Sequence, residues 1–122
     1  MRSVLIDNKT HPLNKPLRID VCETFFYRLR GFMFQSGVSR EGGLLIIQGS
    51  ESRLDAAIHM FFVNFDLAVV WINRHNDVVD TCLARHWHPF YMPSHKAQMI
   101  LEIHPSRQHE FCAGDRLSIE HV

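Results

Sequence analysis

The sequence predicts a mainly β (α+β) fold, a compact antiparallel β-barrel or sandwich of about seven short strands with one or two short helices. Three observations carry this expectation. The segment Ala56–Ile72, AAIHMFFVNFDLAVVWI, holds two nearly continuous apolar runs parted by polar residues around Asn64–Asp66, as central buried strands would be. Turn-forming Gly, Pro, Asn and Asp residues punctuate the chain from Pro12 to Gly114. Only two short stretches carry helical spacing or a helical start.

The elements follow in order. Val4–Ile6 reads as a short strand, and Pro12 and Pro16 bracket a connection. Leu17–Cys22 alternates loosely and suits a strand. Thr24 caps a helix from about Phe25 to Met33, where Phe25, Leu29, Phe32 and Met33 recur at helical spacing. Leu44–Gln48, after Gly42–Gly43, is a short buried strand, and the polar Gly49–Asp55 a surface loop. Ile58–Val63 and Leu67–Ile72 are the two central strands. Asn73, Asn76 and Asp77 then make a hairpin, because Asn and Asp tolerate left-handed backbone geometry. Val78–Leu83 continues as a strand. Pro89 and Pro93 keep HWHPFYMPSH a loop or irregular edge. Ala97–Ile103 is a further strand, Pro105 opens a short helix to about Cys112 that Gly114 stops, and Arg116–Ile119 is the last strand.

Composition narrows the class. Residues 1–122 suit a single domain with a real core, at 46% hydrophobic and 21% charged. Lys plus Arg equal Asp plus Glu at 13 each, so no bulk field favours nucleic acid or anionic lipid, and no nucleic-acid partner is expected. No apolar run approaches the roughly 20 residues of a membrane span. The apolar segment at the N-terminus is too short for a signal peptide. Cys22, Cys82 and Cys112 are odd in number and far apart, which reads as reduced thiols of a soluble, cytoplasmic protein.

Several segments line up in one order: Arg28-Leu29-Arg30-Gly31-Phe32-Met33, Gly43-Leu44-Leu45-Ile46, and Ile58-His59-Met60-Phe61-Phe62. Val69–Ile72, Trp87–Pro89, Met99-Ile100-Leu101-Glu102-Ile103 and Gly114-Asp115 continue it. Over roughly Glu23 to Ile119 the chain resembles the domain of unknown function 192 family. The resemblance implies a mainly β bacterial or archaeal domain with no established activity, cofactor or substrate. Many members of that family carry an acid after a Pro-hydrophobic pair in the strand matching Leu67–Ile72. Ala68 holds that place here, and Asp66 stands where the Pro would be. Residues two apart share a strand face, so Asp66 substitutes only if the strand reaches back that far. The loop at Gly49–Asp55 is longer than in the family, and Asn76 replaces its hairpin Gly.

Candidate chemistry gathers at two places. On an extended Ile58–Val63, His59 faces opposite to Ile58 and Met60. Its functional reading pairs it with Asp66 across the turn as a polar site. The plainer reading, a partly buried histidine satisfied by backbone carbonyls, is preferred. Further on, His86 and His88 flank Trp87, with His95 beyond Pro93. Three imidazoles and a water can hold zinc, but the helical His-Glu-x-x-His spacing is missing, so these are weak metal candidates. Arg85–Tyr91, RHWHPFY, also reads as a recognition loop, with Trp87, Phe90 and Tyr91 as stiff apolar surface and Arg85 as a charged fork, or else as a plug for the barrel end. Cys22 and Cys82 read as small core hydrophobes, and no Gly-x-Ser-x-Gly elbow is present. Arg28 and Arg30 suit an anion, or for Arg28 the fixing of a helix end.

Together these residues predict a binding or interaction module without established catalysis. Its candidate ligand-binding residues are His59, Asp66, Arg85, His86, Trp87, His88 and Tyr91. Its partner is an unspecified protein or small-molecule ligand, and no cofactor is expected. The alternative is a metal-assisted hydrolase using His59, His86 or His88.

Overall fold

The computed structural model describes residues 2–23 and 31–122. Seven strands among them form one sheet: β1 (Ser3–Asn8), β2 (Leu17–Cys22), β3 (Gly43–Ser52), β4 (Leu67–Ile72), β5 (Val78–Ala84), β6 (Ala97–Ile103) and β7 (Leu117–His121). Their order is β5-β4-β6-β3-β2-β1-β7. Every pairing is antiparallel except β2 with β3. The mainly β class predicted from sequence is the class observed, with the sheet curled into a half-barrel.

The curl brings the two edge strands together at one end. Val78 N–H donates to the Asp115 carbonyl at 2.8 Å, and Leu117 N–H to the Asn76 carbonyl at 2.8 Å. The Arg116 guanidinium reaches the Asp77 carboxylate at 2.9 Å over the same seam. The β4–β5 hairpin supplies the geometry: Asn73 Oδ1 accepts from His75 and Asp77 N–H, and Asn76 takes φ +66°, the left-handed conformation that its type tolerates.

β4 lies at the centre of the packing. All six of its residues are buried, which explains why LAVVWI is a continuous apolar run and not an alternating one. Ala68, Val70 and Ile72 face the inside of the curl with Leu45, Leu101 and Ile103. Leu67, Val69 and Trp71 face outward with Ile46 and Ile100, under a second apolar layer drawn from loops. Trp71 Nε1–H donates to the Ala56 carbonyl at 2.8 Å and ties that layer down. At the start of β3 the chain approaches β6 so closely that a Cβ on Gly43 would stand 2.5 Å from the Glu102 carbonyl oxygen.

Three expectations need correction. Ile58–Val63 is not a strand. Its backbone bonds to the loop around residues 86–91, with Ile58 and Tyr91 exchanging 2.9 Å bonds and Met60 N–H donating to the His88 carbonyl at 2.8 Å, before a turn closes at Val63. Ile58, Met60 and Val63 are buried at irregular spacing while Phe61 and Phe62 are exposed, so an apolar run here serves as cover, not as a sheet member. Gly49–Asp55 is only partly a loop, because β3 runs on to Ser52 past an irregularity after Ile47. The C-terminal helix is a 3-10 helix, Pro105–Glu110, with Arg107 Nε and Glu110 Oε1 paired at 2.6 Å on its side. The helix expected from Phe25, its Thr24 cap, and Arg28 and Arg30 lie outside the described residues; Gly31–Phe34 at its expected end is a turn.

Candidate functional site

The described residues do not fully cover the outer face of the sheet. Between the loop of residues 55–63 and the turn at residues 31–33 lies a cleft of about 340 Å³. Its floor is Ile46 and Gln48 of β3, Leu67 of β4, and Ile100 and Glu102 of β6; Ile58, Met60, Val63, Phe32 and Met33 wall it. Asp55 and His59 add polar groups. The register explains the floor: Ile100 stands opposite Ile46 on one side and Trp71 on the other. Glu102 likewise stands between Leu44 and Val69.

Glu102 is the unusual member. Only 5% of it is exposed, its strand neighbours are apolar, and its carboxylate has no hydrogen bond or ion pair among the described residues. Burial pushes its carboxyl up from 4.5 to about 7. The other buried acid, Asp115, makes the contrast. Its Oδ2 accepts from Asn8 Nδ2 at 2.8 Å and from Cys112 N–H at 2.9 Å, and its Oδ1 lies 3.0 Å from His11 Nδ1. Burial alone would raise Asp115, and these bonds hold it below the usual range. Cys22, on the same outer face, is pushed up to about 11, first by burial and then by Glu102 and Asp20.

The residues singled out from sequence divide between two places. His59 lines the cleft, half-buried, with its Nδ1 accepting from Phe61 N–H at 3.1 Å. Asp66 does not pair with His59. It precedes β4, so it does not take over the strand position held by Ala68, which is fully buried inside the curl. Its carboxylate instead receives His86, at 2.9 Å from the backbone N–H and 2.7 Å from Nδ1, with Arg85 Nε at 3.5 Å. Those His86 bonds hold the Asp66 carboxyl below its usual range, and Arg85 adds to them. His88 packs on the Tyr91 ring at 4.6 Å, and His95 Nδ1 meets Ser94 Oγ at 3.1 Å. His86, His88 and His95 thus have separate partners, and no group of three or more metal-ligating side chains forms among the described residues.

The Arg85–Tyr91 loop is split. Tyr91 packs into the outer apolar layer, and its hydroxyl accepts from Arg85 N–H at 2.8 Å. Trp87 and Phe90 remain 47% and 51% exposed. Trp87 joins a ridge: its ring meets Phe62 at 5.1 Å, and Phe62 stacks on Phe34 at 5.0 Å. All three residues sit at left-handed backbone angles, φ +62°, +62° and +63°, which are costly for bulky side chains. Met33 and Val63, next in sequence to Phe34 and Phe62, line the cleft, so the ridge runs beside its mouth.

Glu102 and the ridge are what sequence reasoning missed. The signal for Glu102 was present, as a lone acid inside the apolar run Met99–Ile103. Left-handed aromatics leave no such signal, since that conformation is expected of Gly, Asn and Asp.

Fold and site together define a small half-barrel β domain with a ligand-sized cleft on the outer face of its sheet. The chain belongs to the DUF192 family (Uncharacterized ACR), whose profile it matches over residues 5–119. It is 38% identical over 98 residues to a UPF0127 protein of Thermococcus sibiricus, covering 80% of this chain and 62% of that one. A UPF0127 protein of Thermococcus gammatolerans is 37% identical over 84 residues, covering 69% and 53%. The chain therefore spans between half and two thirds of the length of these relatives. A crystal structure of a proposed transcription regulator from Sinorhizobium meliloti superposes with a TM-score of 0.82 at 15% identity, over 97% of this chain and 92% of that one. A protein of unknown function from Novosphingobium aromaticivorans gives 0.75 at 14%, over 95% and 83%. At such identities the likeness is one of fold.

Proposed function

We propose that this chain is a binding module that takes a small ligand into the cleft over β3 and β6, with His59 and Asp55 as polar contacts. The Phe34–Phe62–Trp87 ridge and the Arg85–Tyr91 loop form its outer rim, where Asp66 and His86 brace the loop base. One observation carries this reading: a cleft lined by Ile46, Leu67 and Ile100 that ends on a buried acid with no partner among the described residues. Ligand sites are concave, mostly apolar and supplied with a few fixed polar groups, and 340 Å³ suits a small ligand.

The test is amide NMR of the isotopically labelled full chain against a panel of small organic fragments. Binding should move one shared set of signals that includes Ile46, Ile58, Met60 and Ile100. Fragments that all bind elsewhere, or none that bind, would overturn the reading.

A metal-assisted hydrolase has one observation in its favour, an exposed His86 oriented through Nδ1 by Asp66, as metal-bound imidazoles often are. It requires further ligands beside His86. Metal analysis of protein purified without a histidine tag decides it, and a stoichiometric ion lost on His86→Ala would favour it over the binding module.

A further inference from the structure

The binding module proposed above leaves the nature of its ligand open, and the lining of the cleft narrows it. Its ionisable side chains among the described residues are Glu102, Asp55 and His59, with no Lys or Arg. Its other side chains include hydrocarbon and thioether from Ile46, Ile58, Met60, Val63 and Ile100, beside the neutral amide of Gln48. Among the described residues, a ligand anion would meet two acids there and no fixed cation. A wholly apolar ligand would leave the Glu102 carboxylate buried without a counter-charge among the described residues, which is costly in such surroundings. A cation with a hydrocarbon body satisfies both parts of the site.

We propose that the cleft selects a small primary amine on an apolar body, its ammonium held by the Glu102 carboxylate and its hydrocarbon laid along Ile46, Ile100, Met60 and Val63. Three features place the charge at Glu102. It lies on the floor of the cleft, 95% hidden from solvent by its 5% exposure, and it lines the pocket from the next-to-last position of β6. Gly31 passes beside it with no side chain, at a point where an added Cβ would come to 3.4 Å from Oε1. An ammonium is compact and has three donors, so it fits one carboxylate in a narrow place better than a planar guanidinium does. The volume equals that of about eleven waters at about 30 Å³ each, enough for an amine of modest size.

The same ammonium is carried by free alkylamines and by lysine side chains, and the probes separate them. Hexylammonium, 1-hexanol, hexanoate and Nα-acetyl-lysine methylamide are each titrated into the full-length chain at pH 8, followed by amide NMR. Hexylammonium should shift Ile46, Met60 and Ile100 and bind at least tenfold more tightly than hexanol, with hexanoate weaker still. Glu102→Gln should abolish the preference for amine over alcohol. Tighter binding of the lysine derivative than of hexylammonium would support the site and assign its ammonium to peptide side chains; the reverse order would support a free amine.

Hexanol binding in the cleft as tightly as hexylammonium would overturn amine selection and leave the binding module standing. So would a preference that persists in Glu102→Gln. If no probe moves the cleft signals, amine selection fails. The comparison of amine with alcohol on the unmodified chain holds even if the variant folds poorly. A second variant, Asp55→Asn, lies at an exposed position and should reduce amine affinity less than Glu102→Gln does.

Discussion

At the scale of single residues, the burial of Glu102 makes stability depend on pH. The native chain holds its proton up to about pH 7, whereas the unfolded chain releases it near 4.5. Between those values the native state binds more protons, so this group's contribution is fully present below 4.5 and is lost as pH rises through 7. The loss is on the order of 3 kcal/mol, from about 1.4 kcal/mol per pH unit over that interval. Urea unfolding of the chain at pH 5 and pH 8 should show it, and Glu102→Gln should flatten the difference. The thiols offer a second check. Burial pushes Cys22 up to about 11 and Cys82 up to about 12, while Cys112 is exposed. In native protein at neutral pH a thiol reagent should modify Cys112 first, and the other two only on unfolding.

At the scale of elements, the start of β3 is the tightest point. Alanine at Gly43 would place its Cβ against the Glu102 carbonyl, Ile103 and Ile19, at a φ of +157°. Gly43→Ala should therefore cost at least about 2 kcal/mol, by thermal or chemical unfolding. Most strands were legible in the sequence for a plain reason: β2 and β6 coincide with their apolar segments, and β4 reads as a buried run whichever way it faces. Ile58–Val63 was misread because burial of Ile58, Met60 and Val63 came from loop packing, which leaves the same apolar composition as a strand. The site was less legible than the fold. His59 was found because a histidine within apolar residues is visible locally. The isolation of Glu102 depends on Leu44 and Val69 across two register pairs, and the Asp66–His86 pairing joins residues twenty apart. Neither relation is written in local sequence.

At the scale of the whole molecule, the half-barrel is held shut at one end by a buried polar knot. Asn8 is fully buried; its amide donates to the Asp115 carboxylate and the Glu110 carbonyl, and its Oδ1 accepts from Thr10 and His11 N–H. It thereby joins β1, the 3-10 helix and the turn before β7. Asn8→Ala would strip one donor from a buried carboxylate and one from the Glu110 carbonyl, and should cost about 3 kcal/mol, measured by chemical unfolding. Asp115 and Asp66, both held below their ordinary 3.8, contribute stability that is present above that value and lost as pH falls through their native values. Glu102 acts in the opposite sense on the other side. These groups therefore place their combined maximum between the ordinary 3.8 of the aspartates and the ordinary 4.5 of Glu102, well on the acidic side of neutrality.

The seam closes one end of the curl, and the described loops leave the outer cleft open with one acid on its floor. The most direct test of that arrangement is a carboxyl-carbon NMR titration of Glu102 in the free protein. The structure predicts an apparent pKa of about 7. A value at or below the ordinary 4.5 would mean that the acid is already paired within the chain, and would contradict the cleft as the place where a ligand meets it.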